Sequence, residues 1–295
     1  MSKKNNLDLS VIILSFNTRD LLRQCLKAVY ASNLGKYEQE VIVCDNGSQD
    51  QSLAMVKKEF PQAVVIANHG NIGFAAGNNP GIKRAKGRYI LLLNSDTEVN
   101  PATFKTIVDY LEHHNEVGAA TCKLVLPDGT MDPACHRGFP TPWAAFTYFG
   151  GLEKLFPHSA IFSQYHQTSK DLNTIHEVDM ISGAFFLVKR EVIKQIGLLD
   201  EDYFFYGEDM DWCFRMKRAG WKIIFNPNVT VLHRKKQSGR AHLDQKRRLG
   251  TEIFFFKYNK LFYQKNYDKR YPRVLMCLIY FLFDLRIFLL EKLKV

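Results

Sequence analysis

The sequence contains no apolar run long enough to cross a membrane. Its longest uninterrupted run, Val274–Phe283, has 10 residues, whereas a spanning helix needs roughly 20. Near the N-terminus, the run Val11–Leu14 is too short for the apolar core of a secretory signal peptide. These absences predict a protein that stays in the cytoplasm.

Cysteine is scarce, and its six positions show no paired spacing. Most of them lie inside apolar stretches, which predicts buried thiols in a reducing compartment. The pattern excludes a disulfide framework and a zinc site built from closely spaced cysteine pairs. The positions are Cys25, Cys44, Cys122, Cys135, Cys213 and Cys277.

Acidic residues are few in the C-terminal quarter of the chain. Residues 217–295 hold 19 Lys and Arg against 5 Asp and Glu, whereas residues 1–216 hold 21 against 25. A near-neutral body with a basic tail predicts a negatively charged partner for the tail, either nucleic acid or anionic lipid.

The same tail is rich in aromatic and apolar residues. Residues 251–273 combine Phe and Tyr with Lys and Arg, and residues 274–290 are apolar apart from Asp284 and Arg286. This composition favours helices that lie on the surface of an anionic bilayer. A helical pair packed on the rest of the protein, or a homodimer contact, is the alternative.

Strand and helix patterns alternate through the first hundred residues, which predicts βαβ units, a largely parallel sheet and the α/β fold class. Ligands of such sheets bind at the carboxyl ends of the strands. Ser15, Asn17, Asp45 and the stretch Asn94-Ser95-Asp96 all fall at predicted strand ends. The predicted strands are 9–14, 40–44, 63–66 and 89–93.

The second half of the chain has a less regular pattern. Residues 138–176 predict a long loop with short helices, and residues 207–219 predict a helix. The further predicted strands are 119–126, 180–188, 221–225 and 229–232.

Candidate metal ligands follow two of the predicted strands. A carboxylate in Asn94-Ser95-Asp96 can bind a divalent cation, which in turn bridges the oxygens of a diphosphate. The alternative is a turn in which Asp96 caps a helix that begins near Pro101. His233 opens a basic run, and a neutral imidazole at a strand end can be a transition-metal ligand. A solvated loop is the alternative for His233.

Two loops carry candidate nucleotide contacts. Asp45 begins the turn Asp45–Ser48, which offers a carboxylate and backbone donors. Residues 71–79 contain glycines that permit close approach of a ligand to the backbone, and asparagines that both donate and accept hydrogen bonds. This second loop does not have the position or spacing of the dinucleotide-binding fingerprint.

Three carboxylates, Glu208, Asp209 and Asp211, fall at the start of the helix predicted at 207–219. One of them can act as a general base toward an acceptor hydroxyl. Ordinary capping is the alternative, because the helix dipole favours acidic residues there. Arg215 has the spacing to pair with Asp211.

In order, the motifs VIILSFN, CDNGS, NIGFAAGNN, LLLNSD and GEDMDW, then a histidine after a short strand, resemble the family-two glycosyltransferases. The likeness runs over about residues 9–240 and is closest to the rhamnosyltransferase-like branch. It implies the GT-A fold, with a mostly parallel central sheet flanked by helices. The implied organisation is a GT-A domain at 1–240, with a nucleotide-sugar half at about 8–126 and an acceptor half at about 127–240. A helical, membrane-associating extension follows at 241–295.

The resemblance also implies a role for each matching residue. Asp209 is the implied catalytic base, and Glu208 and Asp211 place the acceptor or the helix. Asp96 ends the metal-binding DXD motif, and His233 completes the shell of an Mg²⁺ or Mn²⁺ ion. The implied contacts to the nucleotide and the donor sugar are Ser15, Asn17, Asp45, Asn71, Gly73, Phe74, Asn79 and Ser95.

One position departs from the family pattern. Asn94 stands where the DXD motif begins with Asp, so the motif loses one charge and Asp96 is its only carboxylate. Asparagine also occurs there in the rhamnosyl-like branch, so the departure does not argue against activity.

The implied reaction is the inverting transfer of a sugar, rhamnose from dTDP-rhamnose, to a lipid-linked or growing cell-surface polysaccharide. We expect a protein peripheral on the inner face of the plasma membrane. A UDP-hexose donor is a close alternative, because no residue separates thymine from uracil. A weaker alternative is a non-catalytic protein that binds a nucleotide or a nucleic acid. We expect no nucleic-acid partner. A nucleotidyltransferase is disfavoured because the stretch SFNTRD after the first strand lacks glycine.

Overall fold

The computed structural model describes residues 7–235 and 245–294, which form a nine-stranded sheet flanked by helices. The strands are β1 (Leu9–Ser15), β2 (Gln39–Asp45), β3 (Val64–Ala67), β4 (Tyr89–Asn94), β5 (Thr97–Val99), β6 (Val117–Val125), β7 (His176–Val178), β8 (Phe185–Lys189) and β9 (Lys222–His233). The helices are α1 (Arg19–Tyr30), α2 (Ser52–Glu59), α3 (Phe74–Arg84), α4 (Thr103–His113), α5 (Pro142–Phe149), α6 (Leu152–Leu155), α7 (Arg190–Ile196), α8 (Glu208–Arg218), α9 (Gln245–Asn266) and α10 (Arg273–Lys294).

The first half of the sheet is parallel, as the alternating pattern predicts. β3, β2, β1 and β4 lie side by side and run in the same direction. The register opposes Ser15 to Asp45 and Leu14 to Asn94. The carboxyl ends of β1, β2 and β4 therefore meet at one edge of the sheet, where the sequence predicts that the polar residues gather.

The second half of the sheet is mixed. β8 runs antiparallel to β4 and β6, whereas β9 is parallel to β6 and antiparallel to β5 and β7. The predicted parallel arrangement therefore holds for β1–β4 but not for the second half of the sheet. β5 and β7 have three residues each, which is too short to give a periodic signal in the sequence.

β9 is one strand of 12 residues, where the sequence predicts two short strands at 221–225 and 229–232. Its register against β6 jumps between Asn226 and Thr230, and Pro227 lies inside the jump. Proline has no N–H to donate to a ladder, so the strand bulges at this point without ending. It then continues to His233, which pairs with Thr97 on β5.

β8 is shorter than the strand predicted at 180–188, because the chain turns before Phe185. Gly183 lies in that turn, and a Cβ atom there would stand 2.6 Å from the ring of Phe74. The close approach to Phe74 therefore requires glycine at this position, and the strand begins only after it.

The C-terminal helices pack on the sheet domain through α9. Tyr258 and Phe262 on α9 are buried against Tyr203 and Phe214, and α10 in turn packs on α9 through Phe283. Within the described ranges, none of the helices combines the length and the apolar character that crossing a membrane requires. Lipid association of this region stays a prediction.

Five of the six cysteines are buried, and Cys277 on α10 is exposed. Burial raises the pKa of the Cys25, Cys44 and Cys135 thiols to about 12. The prediction of buried, unpaired thiols is therefore confirmed for five positions, and Cys277 is the exception.

Candidate active site

Hydroxyl groups join the turns that follow β1 and β4. Thr18 Oγ1 lies 3.1 Å from Ser15 Oγ and 2.9 Å from Ser95 Oγ. Ser15 and Ser95 are both buried. This short chain of hydrogen bonds fixes one turn against the other, so two of the predicted donor contacts lie at the same edge of the sheet.

Asp45 is the last residue of β2, and only one of its two carboxylate oxygens accepts hydrogen bonds from the described residues. Its Oδ2 accepts hydrogen bonds from the backbone N–H groups of Gly47 (3.1 Å) and Ser48 (2.8 Å). Its Oδ1 is buried and has no hydrogen-bond partner among the described residues. A buried acceptor without a partner is costly, and a ligand with a suitably placed N–H group would satisfy it.

Asn17 ties the turn after β1 to the turn after β2. Its N–H donates to Ser48 Oγ (2.9 Å), and its Oδ1 accepts from the N–H of Gln49 (2.7 Å). The backbone of Asn17 has a positive φ of 53°, a conformation that asparagine tolerates better than most residues. Its side chain thus shapes the edge of the predicted nucleotide site by holding two turns together.

Residues 71–74 are fastened to the segment that precedes α8. The N–H of Phe74 donates to the carbonyl of Phe204 (2.8 Å), and Asn46 Nδ2 donates to the carbonyl of Gly73 (2.9 Å). Gly73 has a φ of 90°, and a Cβ atom there would come within 2.4 Å of the Phe204 carbonyl oxygen. Only glycine fits this position, and Asn71 accepts a hydrogen bond from its N–H (3.3 Å).

Asn79 faces away from this loop. It is buried, and its Nδ2 donates to the carbonyl of Leu199 (3.0 Å) and to Glu201 Oε1 (2.7 Å). It does not line either of the two cavities that border the other candidate residues. Asn79 therefore binds the segment 199–201 to α3.

Asp96 and His233 come together because β5 pairs with the end of β9. His233 Nε2 lies 3.3 Å from Asp96 Oδ1, and both side chains are buried. On the other side of the ring, Nδ1 lies 2.8 Å from Asp132 Oδ2, while Asp132 Oδ1 accepts from Lys235 Nζ at 2.7 Å. Asp132 thus fixes the orientation of the imidazole, as carboxylates behind metal-binding histidines commonly do.

The charged groups around His233 stabilise one another. Burial disfavours the charged ring, but hydrogen bonds with Asp132 and Asp96 outweigh burial and raise the pKa of His233 to about 9. Burial likewise opposes the charge of Asp132, yet its contacts with His233 and Lys235 hold the pKa of that carboxyl below its usual range. Because a metal ligand must be deprotonated, a cation would displace the proton on His233 Nε2.

Asp96 and His233 fit a cation that is also bound by its substrate. Among residues 7–235 and 245–294, no three His, Cys, Asp or Glu side chains are arranged to hold a metal ion by themselves. Mg²⁺ in phosphate chemistry typically takes only one or two carboxylates, with substrate phosphates and water completing the shell. One carboxylate, one oriented imidazole and the nearby Asn94 are consistent with such a partial shell.

Asp209 and Glu208 begin α8 with different surroundings. Asp209 lines a cavity, and its Oδ2 lies 3.5 Å from an Arg137 nitrogen. Glu208 is buried, and its Oε2 has no hydrogen-bond partner among the described residues. Burial, reinforced by the neighbouring charge of Asp209, raises the pKa of Glu208 well above its ordinary value. Asp209, which is half-buried at the wall of the cavity, is therefore better placed than Glu208 to accept a proton from a substrate.

Asp211 is turned toward the protein interior. Its Oδ2 accepts from Arg215 Nε (2.7 Å), which confirms the predicted pair, and its Oδ1 accepts from Asn266 Nδ2 on α9 (3.3 Å). Arg215 also donates to the carbonyls of Ile196 and Leu198. Of the two tasks considered for Asp211, these contacts support placing the helix.

Two adjoining cavities, of about 330 and 490 Å³, lie along the strand edge. Phe74, Asn94 and Phe205 border both of them. The smaller also contains Asn71, Gly73, Ser95 and Asp96, and the larger contains Arg137, Glu208, Asp209, His233 and Lys235. Four of the eight predicted donor contacts, Asn71, Gly73, Phe74 and Ser95, therefore border the space that adjoins the predicted base. The other four, Ser15, Asn17, Asp45 and Asn79, line neither cavity.

No motif in the sequence indicates a role for Asp132 or Arg137. Both lie beside a short 3₁₀ turn at Pro133–Cys135, in a stretch without helical or strand periodicity. The only local signal is Asp132-Pro133, where Asp132 Oδ1 caps the turn by accepting from the N–H of Ala134 (3.0 Å). That signal indicates a turn and gives no indication of a partner on β9.

The chain is similar to several bacterial proteins. It is 25% identical over 213 residues to the N-acetylglucosaminyl-diphospho-decaprenol L-rhamnosyltransferase of Mycobacterium tuberculosis, covering 67% of each chain. It is 23% identical to the rhamnosyltransferase WbbL of Escherichia coli, over 88% of this chain and 96% of that one. It is 26% identical over 78% of its length to the O-antigen biosynthesis protein RfbC of Myxococcus xanthus, and spans only 18% of that longer protein.

Solved structures share the fold. The mannosyltransferase PcManGT from Pyrobaculum calidifontis, in complex with GDP-Man and Mn²⁺, superposes with a TM-score of 0.61 at 17% identity, over 94% of this chain and 69% of that one. GalNAc-T7 with UDP, GalNAc and Mn²⁺ gives a TM-score of 0.59 at 18% identity, over 91% of this chain and 52% of that one. Both are glycosyltransferases of the GT-A fold.

The family model described as glycosyltransferase like family 2 matches residues 6–250, a range that includes all the candidate site residues above. The strand-edge cavities, the shared GT-A fold and this match agree with the motifs in the sequence. The chain therefore belongs to glycosyltransferase family 2.

Proposed function

We propose that this chain is an inverting rhamnosyltransferase that moves rhamnose from dTDP-rhamnose to a lipid-linked precursor of a cell-surface polysaccharide. The observation that carries the proposal is the single cavity bordered by Asp209, His233 and Asn94, because direct displacement needs the base and the diphosphate site in one space. Two relatives named as rhamnosyltransferases support the choice of sugar. The name of one of them includes a diphospho-decaprenol lipid, which supports a lipid-linked acceptor.

The donor nucleotide would lie along the ends of β1, β2 and β4. Asp45 Oδ1, the buried acceptor without a partner, is suited to the N3–H group of thymine. Ser15, Asn17 and Ser95 would shape the surrounding wall. Phe74 borders both cavities, so the sugar would pass over its ring toward Asp209.

The diphosphate would lie beside Asp96 and His233. These two residues, with the side-chain oxygen of Asn94, would hold Mg²⁺ or Mn²⁺. When bound, such a cation offsets the negative charge that develops on the departing nucleoside diphosphate. Lys235 lies in the same cavity and adds positive charge on the leaving-group side.

Asp209 would act as the general base. It accepts the proton of an acceptor hydroxyl, whose oxygen then bonds to the anomeric carbon of the sugar. The bond from that carbon to the diphosphate oxygen breaks on the opposite face, its electrons leave with the diphosphate, and the anomeric configuration inverts. Arg137, at 3.5 Å, orients the Asp209 carboxylate.

A UDP-hexose donor is the second candidate. Uracil presents the same N3–H group as thymine, so the unpaired Asp45 oxygen suits either base. The donor must therefore be identified by direct comparison of the two classes.

We place the enzyme as a peripheral protein on the inner face of the plasma membrane. A lipid-linked acceptor cannot leave the bilayer, so the catalytic cavity must come to the membrane surface. The basic and apolar composition of α9 and α10 supports this location.

Thermal unfolding in the presence of candidate donors tests the proposed function. We expect dTDP-rhamnose to raise the unfolding midpoint more than UDP-glucose or UDP-N-acetylglucosamine, and we expect Mn²⁺ to enlarge the shift, because a ligand that binds only the folded state stabilises it. In Asp96→Ala the contribution of Mn²⁺ should disappear, whereas the surface variant Asp20→Ala should behave as wild type. A larger shift with a UDP-sugar would replace the proposed donor, and no shift with any nucleotide sugar would contradict the transferase assignment.

A further inference from the structure

A second apolar surface lies far from α10 in the sequence, on the segment that contains α5 and α6. Its large side chains are between 43% and 71% exposed. Exposed apolar clusters of this kind on soluble proteins usually mark interaction sites. We call this surface the α5–α6 patch, and its members are Trp143, Phe146, Phe149, Leu155, Phe156 and Ile161.

Ring contacts connect three aromatic members of the α5–α6 patch, Trp143, Phe146 and Phe156, through Phe162. Trp143 lies 5.8 Å from Phe146 and 6.1 Å from Phe162 between ring centroids, and Phe162 lies 5.3 Å from Phe156. The indole N–H of Trp143 donates to the carbonyl of Ile161 at 2.9 Å. Its one polar group is thus satisfied internally, and the ring can enter an apolar phase without losing a hydrogen bond.

The patch adjoins α10. Phe149 contacts Phe256 on α9 (6.2 Å), which contacts Phe283 on α10 (6.4 Å). The exposed apolar side chains of α10 recur every three or four residues, so they share one side of the helix. They are Val274, Leu278, Phe281, Leu282, Leu285, Phe288, Leu289 and Leu293.

Charge favours a bilayer as the occupant of this surface. Within residues 141–169, Glu153 is the only acidic residue, and it is buried with its Oε1 2.8 Å from His166 Nδ1. Lys154 is exposed beside the patch, and α10 carries Arg273 at one end and Lys292 near the other. Aromatic side chains with flanking cations suit the interface of an anionic membrane, and no carboxylate is exposed within residues 141–169. On α10, Asp284 is paired with Lys260 at 2.6 Å, and Glu291 is exposed near the end of the helix.

The surface also lies next to the catalytic cavity. A narrow cleft between α5, α9 and α10 is lined by Phe149 and Phe283, and it shares Tyr165, Phe255 and Asn259 with the cavity that contains Asp209. A bilayer packed against α5–α6 and α10 would therefore lie close to the opening through which an acceptor enters.

We propose that the α5–α6 patch is a second membrane-binding element, which enters the interfacial layer of an anionic bilayer beside α10 and holds the catalytic cavity toward the lipid headgroups. This inference rests on the proposed function in one respect only, because a lipid-linked acceptor is the reason the enzyme would need a membrane. Membrane contact itself does not depend on the donor sugar, so the two can be tested separately.

Trp143 provides a direct test, because the chain has three tryptophans and Trp212 is fully buried. Vesicles of phosphatidylcholine and phosphatidylglycerol that carry a nitroxide near the headgroup should quench the fluorescence of the wild-type protein. Trp143→Phe should lose most of this quenching and still sediment with the vesicles. Equal quenching in both proteins, or no sedimentation of the wild type with anionic vesicles, would overturn the proposal.

A pair of double variants tests the apolar character of the patch. Phe146→Ser with Phe149→Ser should weaken partitioning into these vesicles by about tenfold, because exposed aromatic area is no longer removed from water. Phe146→Leu with Phe149→Leu keeps most of that area and should partition nearly as wild type does. Unchanged partitioning of the serine variant would contradict the proposal, and so would a loss of self-association that leaves partitioning intact.

Two controls separate this test from that of the proposed function. Thermal unfolding without vesicles should give the same midpoint for both double variants, which shows that they fold. The shift produced by dTDP-rhamnose and Mn²⁺ should also be unchanged, because the donor site lies at the strand edge. If the serine variant no longer partitions into vesicles but still responds to the donor, the patch is the membrane-binding element. If the wild-type protein itself does not respond to the donor, only the proposed function is contradicted.

Discussion

Asp209 and Asp211 are two residues apart on α8 and have opposite surroundings. Asp209 faces the larger cavity, and Asp211 faces Arg215 and Asn266 in the interior. Both are acidic residues in the first turn of a helix, so local sequence makes them equivalent. Their contacts give them different tasks, and substitution should separate those tasks.

Asp209→Asn should lower kcat by about 10²–10⁴-fold, the usual contribution of a positioned general base. Donor binding should hardly change, because Asn keeps the shape of the side chain and can still accept a hydrogen bond from Arg137. Steady-state kinetics and the donor-induced thermal shift measure the two effects. Retention of most of the activity would assign the base to another residue.

Asp132→Asn should weaken the binding of Mn²⁺ by about 10–100-fold, the range typical when a group behind a metal ligand is lost. The substitution removes the carboxylate that orients the His233 ring from 2.8 Å. Titration of Mn²⁺ against the donor-bound protein gives the affinity, with Asp20→Asn on the exposed surface as the control. An unchanged titration would show that Asp132 only supports the local turn.

Sequence motifs predict Asp96, His233 and Asp209 because each stands at the end of a strand or the start of a helix. They do not predict Asp132 or Arg137, which lie in irregular chain. Asp132 meets His233 across 101 positions of sequence, and that meeting depends on the course of β9. No local pattern encodes a contact of this range.

At the scale of elements, Asp211 joins α8 to α9. We expect Asp211→Asn to lower the free energy of unfolding by about 3 kcal/mol, because a largely buried Arg215 guanidinium would lose its charged partner. Urea denaturation measures this change, and Asp20→Asn, whose side chain is 64% exposed, should change it by less than about 0.5 kcal/mol. An Asp211→Asn variant as stable as wild type would mean that the ion pair between Asp211 and Arg215 adds little to stability.

Strand and helix signals predict most of the first half of the fold and less of the second. β1, β2 and β4 are continuous apolar runs and lie where the sequence predicts them. β9 is divided in the prediction by Pro227, because the sequence does not show that a bulge opposite β6 can absorb a proline. β5 and β7 are too short to be recognised, yet β5 brings Asp96 to His233.

At the scale of the whole molecule, the contact between the buried His136 and the half-buried His176 should make stability depend on pH. His136 Nε2 lies 2.6 Å from His176 Nε2. Burial, with the neighbouring His176 and Lys170, lowers the pKa of His136 to about 4, and burial also lowers the pKa of His176. In the unfolded chain histidine titrates near 6.5, so between these values the folded state binds fewer protons.

Stability should therefore fall as the pH drops from about 6.5 to about 4, by about 3 kcal/mol for His136 alone. Urea denaturation at several pH values in this window measures the slope. His136→Gln cannot take up this proton and should show a shallower decline. Parallel pH profiles for the variant and the wild type would mean that other groups cause the acid sensitivity.

The distribution of the six cysteines allows a spectroscopic probe to be attached to the protein at a single position. Thiol reagents attack the thiolate, and burial keeps five of the thiols inaccessible and several of them strongly protonated. Cys277 is exposed on α10, so a spin label or fluorophore added to the unaltered protein would attach at that one position. The depth, mobility and orientation of α10 on a vesicle could then be recorded without a single substitution.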